Sequence, residues 1–196
     1  MPRRTVAIAA LVVFGVAAAW ILFIGLPRWY AARQAPDTAA TGAAGAAAPS
    51  AIRKITATLY YVGDDGMALV PVQREVPFFE TVVEQARAII EAQIAAAAAP
   101  LVSAIPTETK LRDVYITERG DAFIDLTGDI VAKHPGGSLH EIFTVYSLVN
   151  ALTVNLPAVA RVQILVNGKE LDTLAGHVDL RHPLSKSMEW VAHDTQ

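Results

Sequence analysis

The chain has 196 residues, 53% of them hydrophobic, with 16 basic and 19 acidic side chains for a net charge of −3. With no cysteine it has no disulfide, thiolate nucleophile, cysteine-based zinc site or lipidated N-terminal cysteine. Arg3, Arg4, Arg28 and Arg33 stand against Asp37 alone in residues 1–51, which leaves residues 52–196 at net −6, a balance that argues against nucleic-acid binding.

Val6 to Leu26 is a run of 21 residues without a charge, twelve of them Val, Ile, Leu or Phe. As a helix rising ~1.5 Å per residue it would be about 32 Å long, enough for a hydrocarbon core of roughly 30 Å. Trp29 and Tyr30 beside Arg28 suit the headgroup interface. A cleaved signal peptide is the rival reading, because Arg3 and Arg4 make a basic start and Ala17-Ala18-Ala19 resembles a cleavage site; the apolar run exceeds a typical signal core, which favours an uncleaved anchor. Basic residues on the two sides nearly balance and lean towards a cytoplasmic N-terminus at residues 1–5. Residues 27–51 then read as a tether: Gln34 to Ser50 is mostly Ala, Gly, Thr and Pro, with a root-mean-square reach of roughly 20–25 Å if flexible.

Residues 52–184 read as one folded domain and 185–196 as a tail. From Ile55 the chain alternates, with Ile55, Ala57, Leu59 and Tyr61 on one face. Gly63-Asp64-Asp65-Gly66 turns it into a second extended run, Ala68 to Val76, in which Pro71 favours an edge. After Pro77 the period becomes helical, with Phe79, Val82, Val83, Ala86, Ile89, Ile90 and Ile94 as the apolar stripe and Glu80, Glu84 and Glu91 outside. Leu111 to Thr117 and Ala122 to Leu126 flank the Glu118–Asp121 turn as a second hairpin.

Ser138 and Glu141 have capping-box spacing at the start of a second helix whose stripe is Leu139, Ile142, Phe143, Tyr146, Val149, Leu152 and Thr153, ending before Pro157. Arg161 to Val166 alternates again, and Asn167-Gly168 predicts a type I′ turn into Lys169 to Thr173. The order β-β-α-β-β-α-β-β predicts an α+β fold, two helices covering one face of a small mixed or antiparallel sheet.

Candidate chemistry is sparse. Ser138 and His140 are the only close serine–histidine pair, but two residues apart at a helix start they diverge, and no nucleophile elbow surrounds the serine. The five histidines lack the i, i+4 pairing of two ligands on one helical face, so no metal or other cofactor is expected. Asp125, between Ile124 and Leu126, is read as facing the polar side or pairing with a neighbouring strand, with Arg74 as a candidate partner. No set of polar groups converges, which favours a binding or assembly module over an enzyme.

The domain resembles the GerMN family, named after bacterial sporulation and germination proteins of the GerM type. The resemblance covers about Lys54 to Leu184. It is carried by Ala68–Val76, Ser103-Ala104-Ile105-Pro106-Thr107, Ala122–Leu126, Pro135-Gly136-Gly137-Ser138 through Tyr146–Thr153, Val162–Gly168 and Thr173–Leu180. The motif positions are Arg74, Pro106, Asp125, Gly136, Gly137, Ser138, Glu141, Asn150, Thr153, Gly168, Gly176 and His177. The resemblance implies a non-enzymatic extracytoplasmic domain, similar in fold to the ring-building motifs of secretion-system and sporulation rings, and supplies no catalytic residue. It also strengthens the orientation that charge leaves open, so that with the Val6–Leu26 span the expectation is a single-pass protein of the bacterial inner membrane, its C-terminal domain in the periplasm and an envelope protein or a second copy as partner. One domain copy, the missing lipoprotein cysteine and the membrane helix depart from the GerM type, so a role in sporulation does not transfer. The alternative class is an envelope enzyme or a small-ligand or peptidoglycan-binding module using the Gly136–His140 loop and Asp125.

Overall fold

A computed structural model describes residues 53–192; the expected membrane span at Val6–Leu26, the tether and the last four residues lie outside them. Among the described residues no helix is long and apolar enough to cross a membrane. Strands β1 (Lys54–Val62) and β2 (Leu69–Pro77) pair antiparallel from Lys54↔Pro77 to Val62↔Leu69, the hairpin that their alternation predicts. Pro71 lies opposite Tyr60, whose own N–H and C=O point away from β2, so the missing proline donor costs no ladder bond. Burial in β1 is wider than the alternation implies: Tyr60 and Val62 are buried along with Ala57, Leu59 and Tyr61.

The hairpin does not join the other strands. It forms a sheet of its own, beside a five-stranded sheet, so the single sheet expected from the element order is corrected to two. The reason lies on the far edge of β1, where Thr58, Tyr60 and Val62 present their backbone groups. Asn155 accepts from Thr58 N at 2.8 Å and donates to Thr58 O at 2.7 Å. Gln93 treats Tyr60 the same way, at 2.9 and 2.7 Å. Val62 exchanges bonds of 2.8 and 3.1 Å with Val102. The ladder positions that a third strand would use from Thr58 to Val62 are therefore taken.

Helix α1 (Val82–Ile94) starts at Thr81, whose Oγ1 accepts from Glu84 N at 3.2 Å and donates to Glu84 Oε2 at 2.6 Å. Its buried face is rotated from the predicted stripe: Phe79, Val82 and Val83 are exposed, while Gln85 and Gln93 are buried with Ala86, Ile89 and Ile90. Both glutamines are drawn inward by backbone, Gln93 by Tyr60 and Gln85 by Phe79 N and Pro77 O.

Strands β3 (Leu111–Ile116) and β4 (Asp121–Leu126) form the second hairpin, with a register shift between Leu111 and Asp113. Gly120 in its turn has φ +81°, and a Cβ there would come within 2.8 Å of Ala158 O, so the turn needs glycine. A short helix, α2 (Asp129–Ala132), follows, an element absent from the predicted order. Helix α3 (Ser138–Asn155) then carries the chain across to β5 (Arg161–Val166), which pairs parallel with β4. Val114, Ile124 and Ile164 line up across β3, β4 and β5, all buried. Asn167 at φ 52° and Gly168 at φ 75° make the predicted type I′ turn into β6, which is only Lys169–Glu170. The sequence did not reveal β7 (Leu184–Ser185), which pairs with the first half of β5. Past it, in the stretch read as tail, Val191 is buried and Leu69 is bonded to Trp190 O and Ala192 N, each at 2.8 Å. The result is an α+β fold, with three helices among the described residues.

Helix α3 is buried on nearly every side from Phe143 to Leu152, not along one stripe. It packs against β1, α1, β5 and β7. Thr144, Ser147 and Asn150 lie inside the protein with the apolar residues, a pattern that a one-sided amphipathic reading does not anticipate.

Removing the Asn155 amide leaves Thr58 N–H and C=O without partners. Asn155→Ala should lower stability by about 1–3 kcal/mol in urea denaturation. Thr153→Ala, which removes only a 2.8 Å bond to the helix carbonyl of Val149, should cost clearly less.

Candidate functional site

The expected capping box at α3 does not form. Gly137 is the cap residue and Ser138 is the exposed first residue of the helix, with no side-chain capping bond. Glu141 turns the other way and is completely buried. Its Oε1 accepts from Leu174 N at 2.8 Å and Ala175 N at 2.9 Å, and its Oε2 accepts from His177 N at 2.8 Å, with the His177 ring Nδ1 at 3.2 Å. A capping box offers that carboxylate a single amide, whereas the folded-back 174–177 loop offers three, so the loop wins. Burial pushes the Glu141 pKa up, but the converging amides of Ala175, His177, Val178 and Leu174 outweigh it and hold the carboxyl below its ordinary value. Glu141 and His177, far apart in sequence, therefore meet in one structural lock, and Gly176 N donates to Thr173 Oγ1 within the same loop.

The glycine-rich connection before α3 is organised by His134. Its Nδ1 accepts from Gly136 N at 3.0 Å, so Nε2 carries the proton and donates to Thr144 Oγ1 at 3.1 Å. The buried Thr144 hydroxyl in turn lies 2.8 Å from Ala104 O and 2.9 Å from His140 O. Burial lowers the His134 pKa, which keeps the ring in this neutral tautomer. No hydrogen bond joins Ser138 to His140 among the described residues. The groups that sequence alone makes look most like chemistry are thus a loop staple and an exposed pair with no third member.

Asp125 is buried on β4 and accepts from Gly168 N at 2.7 Å, locking the type I′ turn; its other oxygen lies 3.6 Å from Arg112 Nε. The proposed partner Arg74 is elsewhere, over the Tyr61 ring at 5.4 Å with Nη2 3.5 Å from Ala96 O. It is displaced because β2 belongs to the other sheet. Asn150 clamps Ser187 through bonds of 2.7 and 3.1 Å, Thr153 bonds back along its own helix, and Pro106 O accepts from Thr109 N at 3.0 Å. Among the described residues no group of three or more His, Asp and Glu is placed to hold a metal ion.

A groove of about 590 Å³ opens beside this staple, lined by the β1–β2 turn, the Pro100–Thr107 segment with Pro106, and Lys133, Pro135 and His140. Its lining is mainly apolar with charged groups of both signs, the composition of a binding groove.

Residues 58–172 match the family model of Germane domains, described as sporulation and spore germination. The chain belongs to this family. No curated protein matches it. Among solved structures, a candidate lipoprotein from Clostridium perfringens is 23% identical with a TM-score of 0.50, covering 71% of this chain and 92% of its own. The first GerMN domain of the sporulation protein GerM from Bacillus subtilis is 19% identical with a TM-score of 0.53, covering 67% of this chain and 97% of its own. The tandem GerMN domains of the same protein give 20% and 0.53, with 68% of this chain covering 46% of that one. At these identities the likeness is one of fold, and it agrees with the GerMN resemblance that the sequence carries.

Two predictions follow from the lock and the staple. Glu141→Gln keeps the shape but turns an amine towards the loop amides, and should cost at least about 2 kcal/mol in urea denaturation. Acid should act in two stages. His134, with a pKa depressed below its ordinary 6.5, contributes fully above that pH and loses its contribution as pH falls through the folded value. Glu141, held below its ordinary 4.5, contributes above that pH and is lost later. Thermal midpoints between pH 8 and pH 2 should show both steps, the first absent in His134→Gln.

Proposed function

We propose that this protein is a non-enzymatic assembly module of the bacterial cell envelope, a Germane domain held to the inner membrane by Val6–Leu26 with residues 27–51 as a tether on the periplasmic side. The observation that carries the reading is how the ionisable groups are used. Glu141, Asp125 and His134 are each engaged by backbone N–H groups of this same chain. Groups fixed this way hold loops in place and leave little freedom to bind and release a substrate. Family membership supports the same reading, since Germane domains are described by process and not by reaction. The candidate lipoprotein among its structural relatives supports surface attachment. With no cysteine available for lipidation, a transmembrane helix is the attachment this chain has to offer.

In this reading the domain binds an envelope protein or a second copy of itself. In-cell crosslinking followed by mass spectrometry should recover a reproducible envelope partner or a dimer; recovery of monomer alone would refute it. The groove favours a second reading, a small-ligand or peptidoglycan-binding module. That reading requires the chain to sediment with purified sacculi and to lose this on Ser138→Ala with His140→Ala. We expect no sedimentation, and thermal midpoints of the two variants close to that of the native chain.

A further inference from the structure

The groove beside the His134 staple is built before any partner arrives. One wall, the β1–β2 turn, is tied to the floor by the paired bonds between Val62 and Val102. The other wall, the Lys133–His140 connection, is tied to the same floor by Thr144, whose buried hydroxyl contacts Ala104 O, His140 O and the His134 ring. A groove fixed from both sides loses little conformational freedom on binding. Its floor is apolar, and Val102 within it is 60% exposed. Asp64 on one wall and Lys133 on the other line the groove with no ion-pair partner among the described residues.

We infer that this groove receives a short segment of a partner protein, apolar at its centre, with a basic side chain against Asp64 and an acidic one against Lys133. The inference rests on the assembly reading and names its docking site. Charge complementarity selects this occupant. A phospholipid surface or nucleic acid would set phosphates against Asp64 and Asp65 on a domain of net negative charge. A glycan would find no Phe, Tyr or Trp face in the lining. A peptide of mixed charge matches the apolar floor and both walls.

The test uses the full chain in detergent micelles on an array of synthetic decapeptides of Leu, Val and Ala, carrying one Lys and one Glu at every spacing and in both orders. Neutral, Lys-only and Glu-only peptides are the controls. Mixed-charge peptides of one order should bind best, and removing either peptide charge should weaken binding about twofold to fivefold, the range of an exposed ion pair. Asp64→Lys combined with Lys133→Glu should invert the preferred order. Neither side chain has an ion-pair partner within the described residues to lose. Equal binding of neutral peptides, no binding at all, or an order unchanged by the double variant would overturn the inference. Displacement of the peptides by purified muropeptides would overturn it too, assigning the groove to peptidoglycan. Envelope crosslinks that persist in the double variant while the array stays empty remove the groove and leave the assembly reading intact. Absence of crosslinks from the native chain removes the assembly reading and this inference with it.

Discussion

Helix α3 is buried on nearly every side, so the polar side chains it carries inward must find their partners inside the protein. Leaving one such group unpaired costs about 1–3 kcal/mol, and more when it is charged. The helix meets this constraint by reaching out to five separate stretches of chain: Glu141 to the 174–177 loop, Thr144 to Ala104 and His134, Asn150 to Ser187 and Asn155 to Thr58. Each of those stretches lacks a strand partner at that point, so the same bonds that satisfy the helix also place the loops. Hydrophobic burial supplies the driving force for bringing α3 between the two sheets. The polar ties decide which arrangement of loops results.

The edge of β1 obeys the same logic. An open strand edge is a template for further pairing and for aggregation. Here Asn155 and Gln93 imitate a neighbouring strand, each offering one donor and one acceptor to a single residue of β1. Helix side chains thereby close the hairpin off from the five-stranded sheet and hold α1 and α3 against it. The fold keeps two sheets apart because the amides that would join them are already occupied.

This economy of polar groups shapes the functional reading. Carboxylates and imidazoles that serve as internal ties are poor catalysts, and the surface they leave behind is a preformed apolar groove with charges of both signs on its walls. Such a surface suits recognition of another chain, the role proposed above.

Much of the architecture is written in local pattern. Alternation marked β1, β2, β3, β4 and β5, the 3.6-residue period marked both long helices, and Asn167-Gly168 marked its turn, because these depend on neighbours a few residues apart. The family was also recognisable, though not what each motif position does. Ser138 and Glu141 satisfy a local capping rule, yet the partners of Glu141 lie 33 to 36 residues further on and outnumber what the cap offers. Gln85 and Gln93 lie off the apolar stripe and are buried because β1 and the Pro77–Phe79 segment need them, and β7 has no pattern of its own because β5 alone makes it a strand. Periodicity and turn chemistry are properties of short segments and belong to the sequence by itself. Which buried polar group meets which backbone, and so where the loops and the groove lie, was decided only when distant segments packed together.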